Sequence, residues 1–279
     1  MRRTGGLLAI ALVLGLVGCA SAKDERDSAR YDGMLEVEKV PGVLVAPYPY
    51  RVQVDPAASE QEIVTTALAV RDILDDLGSD RPPRVELVAV YPGDGSVQTE
   101  FTTTVYDDPE RFERDVRVWA SLLDDGFSHV RFNVFDEAGD GVLNVESGEP
   151  GEPGPTLDES FEAMVGALGD DPSVFQGLQT EASLGRSLAT NRSGQPALPT
   201  GWGDALNSLA TLTYITNSHA TFKPDSILLS LMGSTELSAE QNAEVMAVVA
   251  AAGVLQPSLT VTYNTGFKGT LVTLYGVTQ

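Results

Sequence analysis

The chain has 279 residues, with 40 Asp+Glu against 18 Lys+Arg, a net charge of −22 at neutral pH and one cysteine. That acidity opposes binding to phosphate backbones and to anionic lipid surfaces, so no nucleic-acid partner is expected and any membrane attachment needs its own anchor. A hydrophobic content of 42% supports a globular core and excludes wholesale disorder, and a lone cysteine excludes an intrachain disulfide.

The first element reads MRRTGGLLAIALVLGLVGCA. Arg2 and Arg3 precede an apolar run from Leu7 to Val17. A spanning helix needs about 20 apolar residues, whereas a secretory signal needs an apolar core of roughly 7–15 after a basic start. The length predicts a signal peptide over residues 1–18. Leu16-Val17-Gly18-Cys19 resembles the lipobox of bacterial lipoproteins, a likeness confined to this N-terminal stretch. The resemblance implies that the Cys19 thiol carries diacylglycerol, that the preceding peptide is removed, and that the mature protein sits on the extracytoplasmic face of the cell membrane. Two acyl chains anchor stably where one does not. An ordinary signal peptide with an incidental cysteine is the alternative. Loss of Arg2 and Arg3 from the 18 basic residues, against 40 acidic ones, leaves a net charge near −24. With Cys19 acylated no free thiol remains for a nucleophile or a metal site.

Residues 19–33 are charged and poor in bulky apolar side chains, as a solvated tether would be. Strands are expected at Met34–Val40 and Val43–Ala46 around a Pro41-Gly42 turn, then at Tyr50–Val54. Ser59 and Glu62 have capping-box spacing, and Ile63, Ala67, Val70, Leu74 and Leu77 form one helical stripe ending before Gly78. Strands Arg84–Tyr91 and Val97–Tyr106 follow. Asp108-Pro109 opens a second helix with Phe112, Val116, Trp119 and Leu123 inward. Ser128–Phe135 and Val142–Val145 complete this part. The order from Tyr50 is β-α-β-β-α-β, so the expectation for residues 34–146 is an α+β domain with a ferredoxin-like split βαβ unit.

SGEPGEPGPT, residues 147–156, has linker composition. A second α+β domain is expected over 157–279. Its helices are read at Leu157–Leu168, from Asp204 to about Tyr214, and after the Ser238/Gln241 capping box. Its strands are read at Ser226–Met232, Leu259–Tyr263 and Thr270–Val277, with Val174–Ser183 ambiguous. A degenerate copy of the first unit and one continuous sheet are both compatible with this pattern.

The chemistry-bearing motifs are sparse. His129 and His219 read as solvated imidazoles, His219 in a loop-like stretch. There is no H-E-x-x-H and no G-x-S-x-G. Residues 136–146, DEAGDGVLNVE, have Ala138 where a calcium loop needs its third-position ligand, so a hairpin turn is the better reading. Trp202, between Gly201 and Gly203, reads either as a ligand-contacting platform or as a plug on the core. Trp119 reads as core. No catalytic, cofactor or metal residue is assigned, and no cofactor is expected. By elimination the sequence points to a non-catalytic binding or interaction module on the envelope, with a protein or cell-wall partner. The alternatives are a carboxylate-pair hydrolase acting on cell-wall or extracellular polymer, and a solute-binding lipoprotein.

Overall fold

The computed structural model describes residues 32–48, 50–78, 84–91, 98–135, 140–148, 154–169, 177–193, 197–265 and 271–276. Cys19, the signal segment and most of the tether lie outside the described residues. The fold is α+β. Its strands are β1 (Val43–Tyr48), β2 (Arg51–Val54), β3 (Val85–Val90), β4 (Gln98–Thr103), β5 (His129–Val134), β6 (Gly141–Ser147), β7 (Leu178–Leu184), β8 (Ser187–Asn191), β9 (Asn217–Lys223), β10 (Ser226–Met232), β11 (Leu259–Asn264) and β12 (Leu271–Tyr275). All belong to one 12-stranded sheet whose spatial order is the chain order.

A short helical turn, α1 (residues 32–37), precedes β1. The longer helices are α2 (Glu60–Asp76), α3 (Pro109–Ser121), α4 (Leu157–Leu168), α5 (Trp202–Thr211) and α6 (Ala239–Ala251). Each of these links two parallel strands that are direct neighbours: β2–β3, β4–β5, β6–β7, β8–β9 and β10–β11. The remaining neighbours pair antiparallel. Helix starts follow local chemistry. Ser59, Thr156 and Ser238 each close a capping box, and the Asp108 carboxylate accepts from the N–H groups of Glu110 and Arg111.

Two expectations change. The run Met34–Val40 is not a strand; its first part is helical, burying Val37, and Val40 packs in the core beside it. The β-α-β-β-α-β order is present from β2 to β5, but no strand separates β2 from β3 or β4 from β5, so the βαβ units are not split in the ferredoxin-like manner. Of the arrangements the sequence leaves open, the two halves share one continuous sheet. β6 and β7 flank the predicted linker and pair from Gly141↔Leu178 to Ser147↔Leu184, and one core cluster runs from Val37 to Tyr263.

The register explains how a single core extends across the sheet. Leu87, Phe101, Phe132 and Leu143 are cross-strand neighbours, and so are Val145, Ala182, Ala189, Ala220, Leu229 and Val261. All of them are buried under the helices. The helices lie side by side on that face, each touching the next from α2 to α6. Each hairpin reverses strand direction while the path keeps advancing the same way across the sheet. With every helix on one face, successive crossovers must therefore alternate in hand, although βαβ units are right-handed in about 98% of cases. An unbroken helix layer demands this alternation. Ties between neighbouring helices, such as Arg117 of α3 to Glu60 of α2 at 2.5 Å, belong to that layer.

Candidate functional site

Side chains alternate across a strand, so the residues between the core positions point to the other face of the sheet. None of the described helices covers that face. It carries two polar clusters.

The first cluster spans β2 to β5. Arg84 and Arg51 pair with Glu86 at 2.6 and 3.0 Å. Arg51 and Arg131 approach Glu100 at 3.8 Å each. The alternating series Arg84–Glu86–Arg51–Glu100–Arg131 holds one more cation than anion, in a chain whose net charge is −22. Glu86 is the buried member, its side chain 8% exposed between two guanidinium groups. The strands set this geometry: Arg51 faces Glu86 and Glu100 faces Arg131 in register. A shallow cavity of about 520 Å³ opens over the cluster, with Thr102, Asn133 and the exposed ring of Phe135 on its walls. Guanidinium forks, hydroxyls and an aromatic face can hold a polar ligand that carries an anionic group.

The second cluster spans β6 to β9. Glu181 accepts from Gln179, from Thr190 Oγ1 at 3.3 Å and from Asn144 Nδ2 at 3.5 Å. Thr190 Oγ1 lies 2.9 Å from His219 Nε2, and Thr221 Oγ1 lies 3.3 Å from it. Thr190 has one hydroxyl hydrogen. If it donates to Glu181, its lone pairs accept from Nε2–H of His219, and all three groups are satisfied. Burial pushes the His219 imidazole below its usual value, partly opposed by the Glu181 charge. The Thr190 hydroxyl is buried and engaged on both sides. The trio therefore reads as a structural network and presents no free nucleophile.

The residues singled out in the sequence fall in different places. His219 sits on strand β9, half-buried and hydrogen-bonded, not in a solvated loop. His129 opens β5 on the polar side, as its alternation predicts, opposite Glu146, but it is not the solvated imidazole expected, because its Nε2 is buried with no hydrogen-bond partner among the described residues. Trp202 begins α5, is 1% exposed and packs edge-on against Phe222 with ring centroids 5.1 Å apart. It is the core plug, not a ligand platform. Trp119 is core, as expected. In the segment 136–146, the described part is the β5–β6 hairpin, paired down to Val134↔Gly141.

In the helix layer one carboxylate acts on another. Asp158, in the first turn of α4, is raised by partial burial and then by the charge of Asp204 in the first turn of α5. Among the described residues, no group of three or more His, Cys, Asp or Glu side chains could hold a metal ion, and no helix is long and apolar enough to cross a membrane. The arginine–glutamate series was missed in the sequence. Strand alternation marks its members as polar, but only the register shows that they meet. The chain matches no known protein family, curated protein or solved structure.

Proposed function

We propose that the protein is a lipid-anchored component of the bacterial envelope that works by contact, presenting the uncovered face of its sheet to a partner or ligand. The observation that carries the contact reading is this broad, largely polar face: a built arginine–glutamate series beneath an open shallow cavity, with most of the apolar side chains turned to the helices and a few, such as Val88 and Phe135, beside the cavity. A sheet of 12 strands at about 4.8 Å spacing extends roughly 50 Å, which suits a surface partner better than a small substrate enclosed from water. Leu16-Val17-Gly18-Cys19 supports the anchor, and the acidic charge leaves attachment to the lipid. The partner is a protein or cell-wall polymer, and the face does its work without catalysis.

Two measurements test the proposal. Mass spectrometry of the membrane fraction should find a diacylglyceryl mass on a peptide beginning at Cys19, and Cys19→Ser should prevent both the lipidation and the lipoprotein-type processing. A mature chain beginning elsewhere and lacking lipid refutes the anchor. Separately, Arg131→Glu and Arg51→Glu should reproduce the deletion phenotype by degrees with the fold intact. A sharp loss from one carboxylate-to-amide change, matched by a turnover assay, would replace contact with catalysis, since contact energy is shared among several residues even when a few dominate.

A further inference from the structure

The two ends of the sheet are finished differently. At the β1 end, α1 extends the helix layer beyond α2, with Gly33 against Leu77. Asp32, Glu36, Glu38 and Lys39 put charge there. β1 itself carries Pro47 and two breaks in its register with β2. Charges, proline and bulges are the devices that keep a sheet edge from pairing.

The β12 end has fewer of them. Its sequence LVTLY has no proline and, like β1, no charge, its register with β11 breaks once where that of β1 breaks twice, and among the described residues only β11 pairs with it. Leu271 and Val272 are 64% and 43% exposed. Above the sheet, α6 is the last of the described helices in the layer and packs against α5. It buries only Val245 and Val249, and leaves Ala247, Ala250 and Ala251 exposed. From Val245 to Phe267 the chain has no Asp, Glu, Lys or Arg, although 21% of all residues are charged. Arrays of repeated units close their ends with a polar cap; this end instead shows surface of interior type.

We propose that this end is a twofold self-association surface, with β12 pairing antiparallel to β12 of a second copy and the uncharged half of α6 covering the flank. An antiparallel strand paired with itself is self-complementary, so the contact is isologous and closes at two copies. Charge points to the same occupant. Two mature copies near −24 each repel, and the repulsion is smallest where they meet through a stretch with no charge. A lipid surface suits this end less, because the tether enters beyond β1, roughly 50 Å away across the strands. Stable interfaces bury about 800 Å² per partner, more than five strand residues offer, so α6 has to share in the contact. Head-to-tail growth through β1 is opposed by the register breaks, Pro47 and the carboxylates of α1.

Sedimentation of the mature chain carrying Cys19→Ser tests this. The expected result is a monomer–dimer equilibrium that tightens as salt rises from about 50 to 500 mM, because screening removes the mutual repulsion. Val272→Lys should weaken the dimer at least tenfold. Ala250→Arg, at an exposed helix position that leaves the strands alone, should weaken it independently. Both variants should keep the parent's circular dichroism spectrum. A monomer at every concentration up to the solubility limit overturns the proposal. So does a dimer indifferent to both substitutions, and so does open-ended growth abolished by Val45→Lys on β1.

Discussion

Phe101 offers the most searching test of the fold, because its effect should be felt in the half of the chain where it does not lie. It is fully buried on β4 and meets Phe112 at 6.0 Å, Trp119 at 6.2 Å and Phe132 at 5.9 Å. It therefore joins the sheet to α3. Truncating a buried phenylalanine to alanine costs about 3–5 kcal/mol, from lost burial and the cavity left behind. The edge-on contacts with Phe112 and Phe132 place Phe101→Ala in the middle of that range, at about 4 kcal/mol. With a urea dependence of about 3 kcal/mol per molar, the midpoint should fall by about 1.3 M.

The chain has two tryptophans, one in each half. Trp202→Phe leaves Trp119 as the sole reporter, and Trp119→Phe leaves Trp202. Phe101→Ala is introduced into each background and compared with its own parent. If β6 and β7 couple the halves through their registered pairs, both reporters should lose the same midpoint. Separate domains over 34–146 and 157–279 predict that only the Trp119 transition moves. A Trp202 transition left in place while that of Trp119 falls by more than about 1 M would refute the single cooperative sheet.

Two further outcomes follow from buried ionisable groups. Burial raises Asp115 above its ordinary 3.8, against the opposing pull of Arg114 and Arg111. The native state then holds the proton more tightly than the unfolded chain does, so this group makes stability fall as pH rises from about 4 through its raised value. Asp115→Asn should flatten that part of the urea-midpoint profile, and an unchanged slope would contradict the reasoning. His219 is displaced the other way, below 6.5, first by burial. Its contribution is fully present above 6.5 and is lost as pH falls through its lowered value. His219→Gln should remove that acid sensitivity, and a variant that still loses stability over the same window would clear His219 of it.

Local elements were legible because their signals are local. Ser59 with Glu62, Asp108 with Pro109, and Ser238 with Gln241 each mark a helix start that backbone hydrogen bonds then honour. The apolar stripe from Ile63 to Leu74 names the buried face of α2. Met34–Val40 misleads because Val37 and Val40 are apolar at a spacing of three. That pattern fits a helical turn as well as an irregular strand, and the cap beyond α2 decides it. His219 misleads because Asn217 and Ser218 have turn-like chemistry, yet pairing with both β8 and β10 makes them strand.

The sheet order lay beyond the sequence for a different reason. A split βαβ and an unsplit one have the same succession of elements and the same alternation, and they differ only in which strands are neighbours. The linker at 147–156 compounds the ambiguity. Its glycines and prolines resemble a domain boundary, but a βα connection needs the same residues to turn a strand into a helix. Ser147, the first residue of that stretch, belongs to the sheet. It is buried, its hydroxyl lies 3.3 Å from that of Ser160 in α4, and its backbone faces Leu184 of β7. Such a residue carries the sheet across the stretch with linker composition. The same register that joins the halves also carries Arg51, Glu86, Glu100 and Arg131 to one surface. The sheet's continuity and its candidate site therefore have one cause, long-range pairing, which no local stretch of sequence displays.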